Sequence, residues 1–434
     1  MSEEAPPHLY EEEDDDTDEP LAVVTAPSDD ALPRRLDEWP DDAGWFGSSG
    51  GPGEAGPLAD TAAGLLEGDT AAVLRNRGVW AEIAGILGSL TARATPLIHA
   101  ERLSELNRSA ARRDVGASIW LKREDLAGAG GASIAIALGH VHLASRAGRR
   151  AILCDGSDRD HAMACAVAAG RLDLGCRVFR SDGEDDPWLE QRLRLLGAEV
   201  IHADRVDGGL TAAQRAWIED SANTHYVPSR PVGPHPFPLL AGDLCAPIGR
   251  ELKGQCLRLI GELPSLIAVD ADGPATPGAL RPFLMENDTR LVSARSPGRE
   301  SEAVIAPEVA NWRDAGRFDV VAVSDQERDE TLVRLSRTDG IVISRASARQ
   351  LAVALCEARE LPSTTSVVVL LQRVSPLGSD EDLGDLPFDL PIERPAQRQK
   401  PSGKGKRRKR GGGPSGRSED GSGPASGADD GQAS

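Results

Sequence analysis

Acidic and histidine side chains cluster in one short stretch of the chain. Asp155, Asp158, Asp160 and His161 fall within seven residues. Clustered carboxylates can bind a metal ion or supply general acid and base groups for hydrolysis. Aspartate is also common at helix starts, where its side chain accepts hydrogen bonds from free N–H groups. The spacing favours an acidic loop at a helix start and leaves an altered catalytic site as the second interpretation.

Other candidate sites are weaker. Gly128, Gly130 and Gly131 follow a predicted strand and open a helix, as in a phosphate-binding turn, but the full dinucleotide spacing is absent. His140 and His142 are separated by one residue, so on a helix they point to different faces and cannot converge on a metal. We therefore predict no metal site.

The six cysteines are scattered along the chain without a close pair. This spacing argues against a disulfide framework or a zinc knuckle and favours a reducing, cytoplasmic compartment. No run approaches the roughly 20 apolar residues that cross a bilayer. The cysteines are Cys154, Cys165, Cys176, Cys245, Cys256 and Cys356.

Charge is distributed unevenly over the 434 residues, whose net charge is −20. Residues 1–30 contain twelve acids and no Lys or Arg, whereas residues 398–410 contain eight Lys and Arg and no acid. Both ends lack an apolar pattern. We therefore predict a disordered acidic tail over 1–42, a folded body over 43–395 and a disordered Gly/Ser-rich tail over 396–434.

The body must position any site on alternating strands and helices. Short β-branched runs, such as Arg150–Cys154 and Val367–Leu371, alternate with longer helical ones, such as Asp160–Arg171 and Leu239–Gly261. This alternation predicts an α/β fold with parallel-type sheets and flanking helices. The other predicted strands are Ser118–Lys122, Arg177–Arg180, Glu199–His202, Leu266–Val269, Arg290–Ala294 and Val320–Ser324. The other predicted helices are Ile134–Ala147, Trp188–Leu196, Thr211–Asn223, Gln326–Ser336 and Ala348–Arg359.

Seven segments resemble tryptophan synthase β-chains, and the likeness extends from about Gly44 to Asp382. Ile119–Leu126, for example, reads I-W-L-K-R-E-D-L against the family's Y-L-K-R-E-D-L. The others are Gly44–Gly51, Arg93–Leu103, Leu196–Val200, Asn223–Tyr226, Val232–Pro238 and Ile248–Lys253. The resemblance implies a two-lobed body of the fold type II pyridoxal phosphate enzymes and, in the family, pyridoxal phosphate as cofactor.

The departures from this family fall on its chemistry. Counting on from Asp125, Ser133 stands where the family has its Schiff-base lysine, and Ala132 where it has the preceding histidine. A hydroxyl cannot form the aldimine or move the α-proton as an amine does. The remaining lysines offer no evident replacement, since four lie in the basic tail and Lys253 is predicted on a surface helix. Lys122 matches a different family lysine.

The segments matching the cofactor and substrate loops have changed as well. The phosphate-binding G-G-G-S-N is replaced by Ala271, Asp272, Gly273, Pro274 and Ala275, in which a carboxylate appears and proline removes a donor. In the substrate loop, Asp155 stands for the catalytic glutamate, whereas Asp158 and Asp160 would repel a carboxylate unless Arg159 offsets them. Ser344–Ser347 and Gln372–Gly378 replace the family's groups near the pyridine nitrogen.

These losses predict a catalytically inactive, tryptophan synthase β-like protein that binds no cofactor and has a scaffold, partner-binding or regulatory role. The alternatives are an enzyme with altered chemistry in the old cleft and a divergent tryptophan synthase β-chain. The resemblance implies a homodimer or pairing with a tryptophan synthase chain. The basic run Lys404–Arg410 predicts weak contact with an anionic partner.

Overall fold

The computed structural model describes residues 40–54, 56–65, 76–90, 94–128, 130–181, 186–204, 208–298, 305–374 and 386–392. All of them fall within one unit, Met1–Pro395. The second unit, Ala396–Ser434, and most of the predicted acidic tail lie outside the described residues. The basic run Lys404–Arg410 also lies outside them. No helix in the described ranges is both long enough and apolar enough to span a membrane.

The described residues form twelve strands and twelve α-helices in an order that largely alternates. The strands are β1 Trp45–Phe46, β2 Ser49–Gly50, β3 Leu97–His99, β4 Ser118–Arg123, β5 Ala151–Asp155, β6 Gly175–Ser181, β7 Glu199–Ala203, β8 Thr224–Val227, β9 Leu266–Ala268, β10 Arg290–Arg295, β11 Phe318–Ala322 and β12 Ser366–Leu371. The helices are α1 Pro57–Ala63, α2 Arg77–Leu90, α3 Glu101–Ser109, α4 Ser133–Arg146, α5 Arg159–Arg171, α6 Pro187–Leu195, α7 Gly208–Glu219, α8 Phe237–Leu259, α9 Thr276–Leu280, α10 Pro307–Asp314, α11 Asp325–Asp339 and α12 Arg345–Ala358.

The larger sheet has six strands in the order β11-β10-β9-β12-β4-β3. Its pairs are parallel except for the edge strand β3, which runs antiparallel to β4. Strand β12 is buried along its whole length and reads S-V-V-V-L-L. A continuous β-branched and apolar run is typical of a parallel strand that is covered on both faces.

The smaller sheet has four parallel strands in the order β7-β6-β5-β8. Helix α4 packs against it and against α8, and nearly all of α4 is buried, including both His140 and His142. Gly139 allows this close packing, because a Cβ there would overlap the side chain of Leu244 on α8. The two sheets and their helices confirm the α/β prediction with parallel-type sheets.

Most predicted elements are present with shifts of a few residues at their ends. The largest strand error is Val320–Ser324, which the structure places at Phe318–Ala322. The predicted helix Thr211–Asn223 is wrong at its end, because α7 ends at Glu219 and the chain then turns into strand β8. Hydrogen bonds from Thr224 to the carbonyl oxygen of Asp220 form this turn.

Candidate functional site

A cleft of about 1090 Å³ lies where the carboxyl ends of strands from both sheets meet. Residues that follow β4, β5, β9 and β12 line it, and ligands of open parallel sheets bind at such ends. The charged residues that line it include Asp158, Asp160, Asp270, Asp272 and Arg373. The cleft is therefore the candidate binding site.

Ser133 is the first residue of α4, and its side chain is buried. The glycines before it pack against the opposite side of the cleft. A Cβ on Gly130 would overlap the carbonyl oxygen of Asp160, and a Cβ on Gly131 would overlap that of Gln372. The backbone N–H of Ala132 donates to the Gln372 carbonyl oxygen at 3.0 Å. This turn is consequently a tight contact between segments, and the donor of Ala132 is not available to a phosphate.

The two lysines within the described residues are both engaged elsewhere. Lys122 is fully buried, and its ammonium donates to the carbonyl oxygen of Thr95 at 2.8 Å and to the Gln255 side chain at 3.0 Å. It also pairs with Glu251. Lys253 is half-buried rather than on the open surface, and it donates to Pro282 and pairs with Glu286. Neither amine lies free in the cleft to replace the one missing at Ser133.

The loop that matches the phosphate-binding segment satisfies its own donors. The N–H groups of Ala271 and Asp272 donate to Ser293 Oγ at 3.0 Å and to Asp270 Oδ1 at 3.2 Å. The N–H of Gly273 donates to the Asp270 carbonyl oxygen at 2.8 Å. Pro274 has no N–H. A phosphate needs several unpaired N–H donors, which this part of the loop does not offer.

Gln372, the first residue after β12, fills the rest of this loop. Its Oε1 accepts a hydrogen bond from the N–H of Ala275 at 2.9 Å, and its Nε2 donates to Thr276 Oγ1 at 2.8 Å. Its side chain lies so close that a Cβ on Gly273 would overlap it. The buried amide therefore takes the place in the loop that a phosphate would need.

The charge of Asp272 is not what excludes a phosphate. Asp272 Oδ1 accepts a hydrogen bond from Arg295 at 2.7 Å, so a cation offsets the carboxylate. The repulsion expected from the sequence is thus largely cancelled, and the absence of free donors is the stronger obstacle.

The four residues Asp155, Asp158, Asp160 and His161 do not converge on one point. Asp155 is buried and accepts hydrogen bonds from the N–H and Oγ of Ser157 at 3.0 and 2.6 Å. Asp158 is the N-cap of α5 and accepts from the N–H of His161. The His161 side chain is buried and lies against Val227 and Cys165. Asp158 and Asp160 alone of these four line the cleft.

Arg373 joins the two sides of the cleft through these acids. Its guanidinium donates to Asp158 Oδ2 at 2.8 Å and lies 3.7 Å from Asp270 Oδ2. Burial opposes ionisation of Asp158, but the charge of Arg373 and its hydrogen bond outweigh burial and lower the pKa of Asp158. Arg159 pairs with Asp186 at 3.0 Å, and its charge only partly opposes the rise in the pKa of Asp160.

Asp160 is an acid of the cleft whose pKa lies above its ordinary value. Burial, followed by the charge of Asp158, raises the pKa of Asp160 to about 6, although the N–H of Val374 donates to its carboxylate at 3.0 Å. Burial also raises the pKa of Asp270, which Arg373 opposes. The acids of the cleft are thus held in an internal network with Arg373.

The remaining family positions near the ring nitrogen carry no corresponding group. Ser344 is the N-cap of α12, and Ala346 presents a methyl group to the cleft where the family has glutamate. Val374 is the last described residue of its segment, so the positions 375–378 lie outside the described residues.

Comparison with known families is consistent with this geometry. Residues 89–256 match the family of pyridoxal-phosphate dependent enzymes. The matched segment covers α4, β5 and the loop to α5, and it includes Ser133 and Asp155. The loop at Ala271–Ala275 and Gln372 lie beyond it. The chain is therefore similar to this family in fold.

The cofactor of that family does not fit the residues present here. An aldimine needs an amine at the start of α4, and the phosphate needs the donors that Gln372 and Asp270 engage. The sequence pointed to Ser133 and to the altered loop. It did not indicate that the amide of Gln372 enters the loop, because that contact joins residues 97 positions apart.

Proposed function

We propose that this chain is a catalytically inactive, tryptophan synthase β-like protein that acts as a scaffold or binding partner. The observation that carries the proposal is the Gln372 amide inside the loop that would bind a phosphate. Replacement of the lysine by Ser133 alone would leave a pocket that still accepts the cofactor. The filled loop also removes the binding energy of the phosphate, in addition to the reactive amine that is missing at Ser133.

The hydrogen bonds within the cleft support a role that depends on the fold but not on catalysis of the family's reaction. Arg373, Gln372 and Val374 make hydrogen bonds to Asp158, Ala275 and Asp160. These contacts link the strand ends of both sheets through the protein's own groups. A scaffold needs such a fixed arrangement, whereas an enzyme of this family needs these groups free to bind cofactor and substrate.

The experiment is a titration of purified protein with pyridoxal phosphate, followed by absorbance and by a thermal melt. We expect no aldimine band and no rise in melting temperature, because a ligand stabilises the folded state only if it binds there. The matched variants are Ser133→Lys and the double variant with Gln372→Ser. The single variant should show no saturable aldimine band if Gln372 blocks the loop; such a band in the unaltered protein would refute the proposal.

The partner is inferred from family resemblance and proposed as a second copy of the chain or a tryptophan synthase chain. Light scattering on the purified protein and co-purification from the native host separate these two. A monomer that co-purifies with nothing in repeated experiments would argue against the scaffold role. The basic run Lys404–Arg410 is proposed to add a weak, salt-dependent anionic contact, which deletion of residues 396–434 tests.

A second candidate is an enzyme with altered chemistry, and Asp160 favours it. A carboxyl with a pKa of about 6 that lines a large cleft can act as a general acid or base near neutral pH. Asp155 and His161 would not take part, because the side chains of both are hydrogen bonded to other groups of the protein. Hydrolysis of a test ester or phosphate that Asp160→Asn abolishes would favour this candidate.

The sequence resemblance to tryptophan synthase β-chains alone would suggest a third candidate, authentic synthesis of tryptophan from indole and serine. It requires cofactor binding without the lysine. Complementation of a β-chain deletion strain tests it directly, and we expect no growth without tryptophan.

A further inference from the structure

The fold brings together a cluster of thiols that the sequence spacing did not indicate. Cys154 lies in β5, Cys165 follows His161 by one turn of α5, and Cys176 lies in β6. The four side chains are buried, and the thiols of Cys154 and Cys176 are hydrogen bonded to each other. These cysteines are far apart in the sequence but lie close together in the tertiary structure.

The donor atoms of this cluster have the spacing of a metal site. The ligand atoms of Cys154, His161 and Cys165 all lie within 4.8 Å of one another. Cys165 Sγ lies 3.4 Å from His161 Nε2. In a tetrahedral zinc site the bonds are about 2.3 Å to sulfur and 2.0–2.1 Å to nitrogen, which places sulfur and nitrogen ligands about 3.6 Å apart. We infer that Cys154, His161 and Cys165 form a buried binding site for a thiophilic d¹⁰ cation, with Zn²⁺ as its ligand.

The hydrogen-bonding state of His161 is compatible with this site. Its Nε2 lies 3.1 Å from the carbonyl oxygen of Val227, which can only accept, so this nitrogen carries a proton in the absence of metal. A cation would bind Nε2 of the other neutral tautomer, in which the proton has moved to Nδ1, while the ring remains where α5 holds it.

Charge balance favours a divalent cation at this site, because two buried thiolates without a cation would be uncompensated. Binding of Zn²⁺ by Cys154 and Cys165 releases two protons and forms two Zn–S bonds, with no change of oxidation state. Two thiolates neutralise the charge of the ion, which removes most of the cost of burying it.

The site would act on the loop that leads to the cleft. Cys154 and His161 flank Asp155–Asp160, so a shared ion would join the end of β5 to the first turn of α5. This would hold the loop in place independently of any cofactor. The inference does not depend on the proposed scaffold function, since an active enzyme could contain the same structural ion.

The test uses the full chain, refolded from denaturant with a thiol reductant and Zn²⁺ and then freed of excess metal. Elemental analysis should give one Zn²⁺ per chain, and Cys165→Ala should reduce this content to near zero. Cys256→Ala is the matched control, because it removes a buried cysteine from the core of the other sheet and should keep the ion. Refolding with Co²⁺ should give the thiolate charge-transfer absorbance.

Three results would overturn the inference. The refolded protein could lack both Zn²⁺ and the Co²⁺ absorbance, or Cys165→Ala could retain the same metal content. Mass spectrometry of unreduced protein could instead find a disulfide among Cys154, Cys165 and Cys176. If Cys165→Ala does not fold, the Co²⁺ spectrum of the unaltered protein tests the inferred metal site by itself.

Discussion

The side chain of Gln372 determines whether the loop at Ala271–Ala275 has room for a phosphate. Its side chain is 2 % exposed and both of its amide atoms make hydrogen bonds within the loop. A buried amide with both ends paired stabilises the fold, whereas loss of one partner leaves buried donors unsatisfied.

We predict that Gln372→Ala destabilises the protein by about 2 kcal/mol, because the N–H of Ala275 loses its acceptor and a cavity forms. Urea denaturation at pH 7 measures the change. Gln326→Ala is the control, since Gln326 makes an exposed hydrogen bond to Glu330 and should cost less than about 0.5 kcal/mol. Equal effects of the two substitutions would contradict the structural role of Gln372.

Lys122 is expected to be structural rather than reactive. We predict that Lys122→Met costs about 3–5 kcal/mol, because it leaves Glu251 and the buried Glu124 without their cation. Lys253→Met should cost much less, since the Lys253–Glu286 pair is about a third exposed. Chemical denaturation of both variants checks this; a stable Lys122→Met protein would leave Lys122 free for another role.

At the scale of elements, Arg373 after β12 connects to the N-terminus of α5. We predict that Arg373→Gln destabilises the protein by about 3 kcal/mol, because Asp158 and Asp270 lose the cation between them. Asp158→Asn is the partner variant, since asparagine still caps α5 but carries no charge. The double variant should show a coupling of about 1–3 kcal/mol; additive effects would mean that the pair does not interact.

The elements themselves were largely predictable from the sequence. Long periodic or β-branched segments such as β12 and α5 appear within one or two residues of their expected ends. Several short or weakly patterned elements were not predicted from the sequence, namely α1, α2, α3, α9, α10, β1, β2 and β3. Strand β8 was missed because four residues with a polar start give little periodicity.

The site was predictable only where it depends on residue type. Ser133 and the loop at Ala271–Ala275 follow from an alignment, since each matches a family position. The hydrogen bonds of Gln372 and Arg373 join residues that are far apart in sequence. The thiol cluster likewise depends on the register of β5 with β6 and on the rotation of α5, which no local pattern records.

At the scale of the whole molecule, buried neutral histidines make stability depend on pH. His140 and His225 are buried and joined by a hydrogen bond of 2.9 Å. Burial lowers the pKa of His225 to about 4 and lowers that of His140 well below its usual value. Between pH 6.5 and about 4 the unfolded chain therefore binds more protons than the folded protein, and stability must fall as the pH falls.

We predict a loss of about 1 kcal/mol per pH unit for each of these histidines once the pH is well below 6.5. Urea midpoints measured at pH 7, 6 and 5 check this. His225→Gln should flatten the profile. A profile that is flat in the unaltered protein would contradict the lowered pKa of the buried pair.

Reductive trapping is the most direct test of the central claim that the cofactor is not held. The folded protein is incubated with pyridoxal phosphate, reduced with borohydride, and digested for mass spectrometry, with the urea-unfolded chain treated in parallel. We predict that the folded body, including Lys122 and Lys253, shows no stoichiometric pyridoxyl adduct. A stoichiometric adduct on either lysine in the folded protein alone would contradict the account.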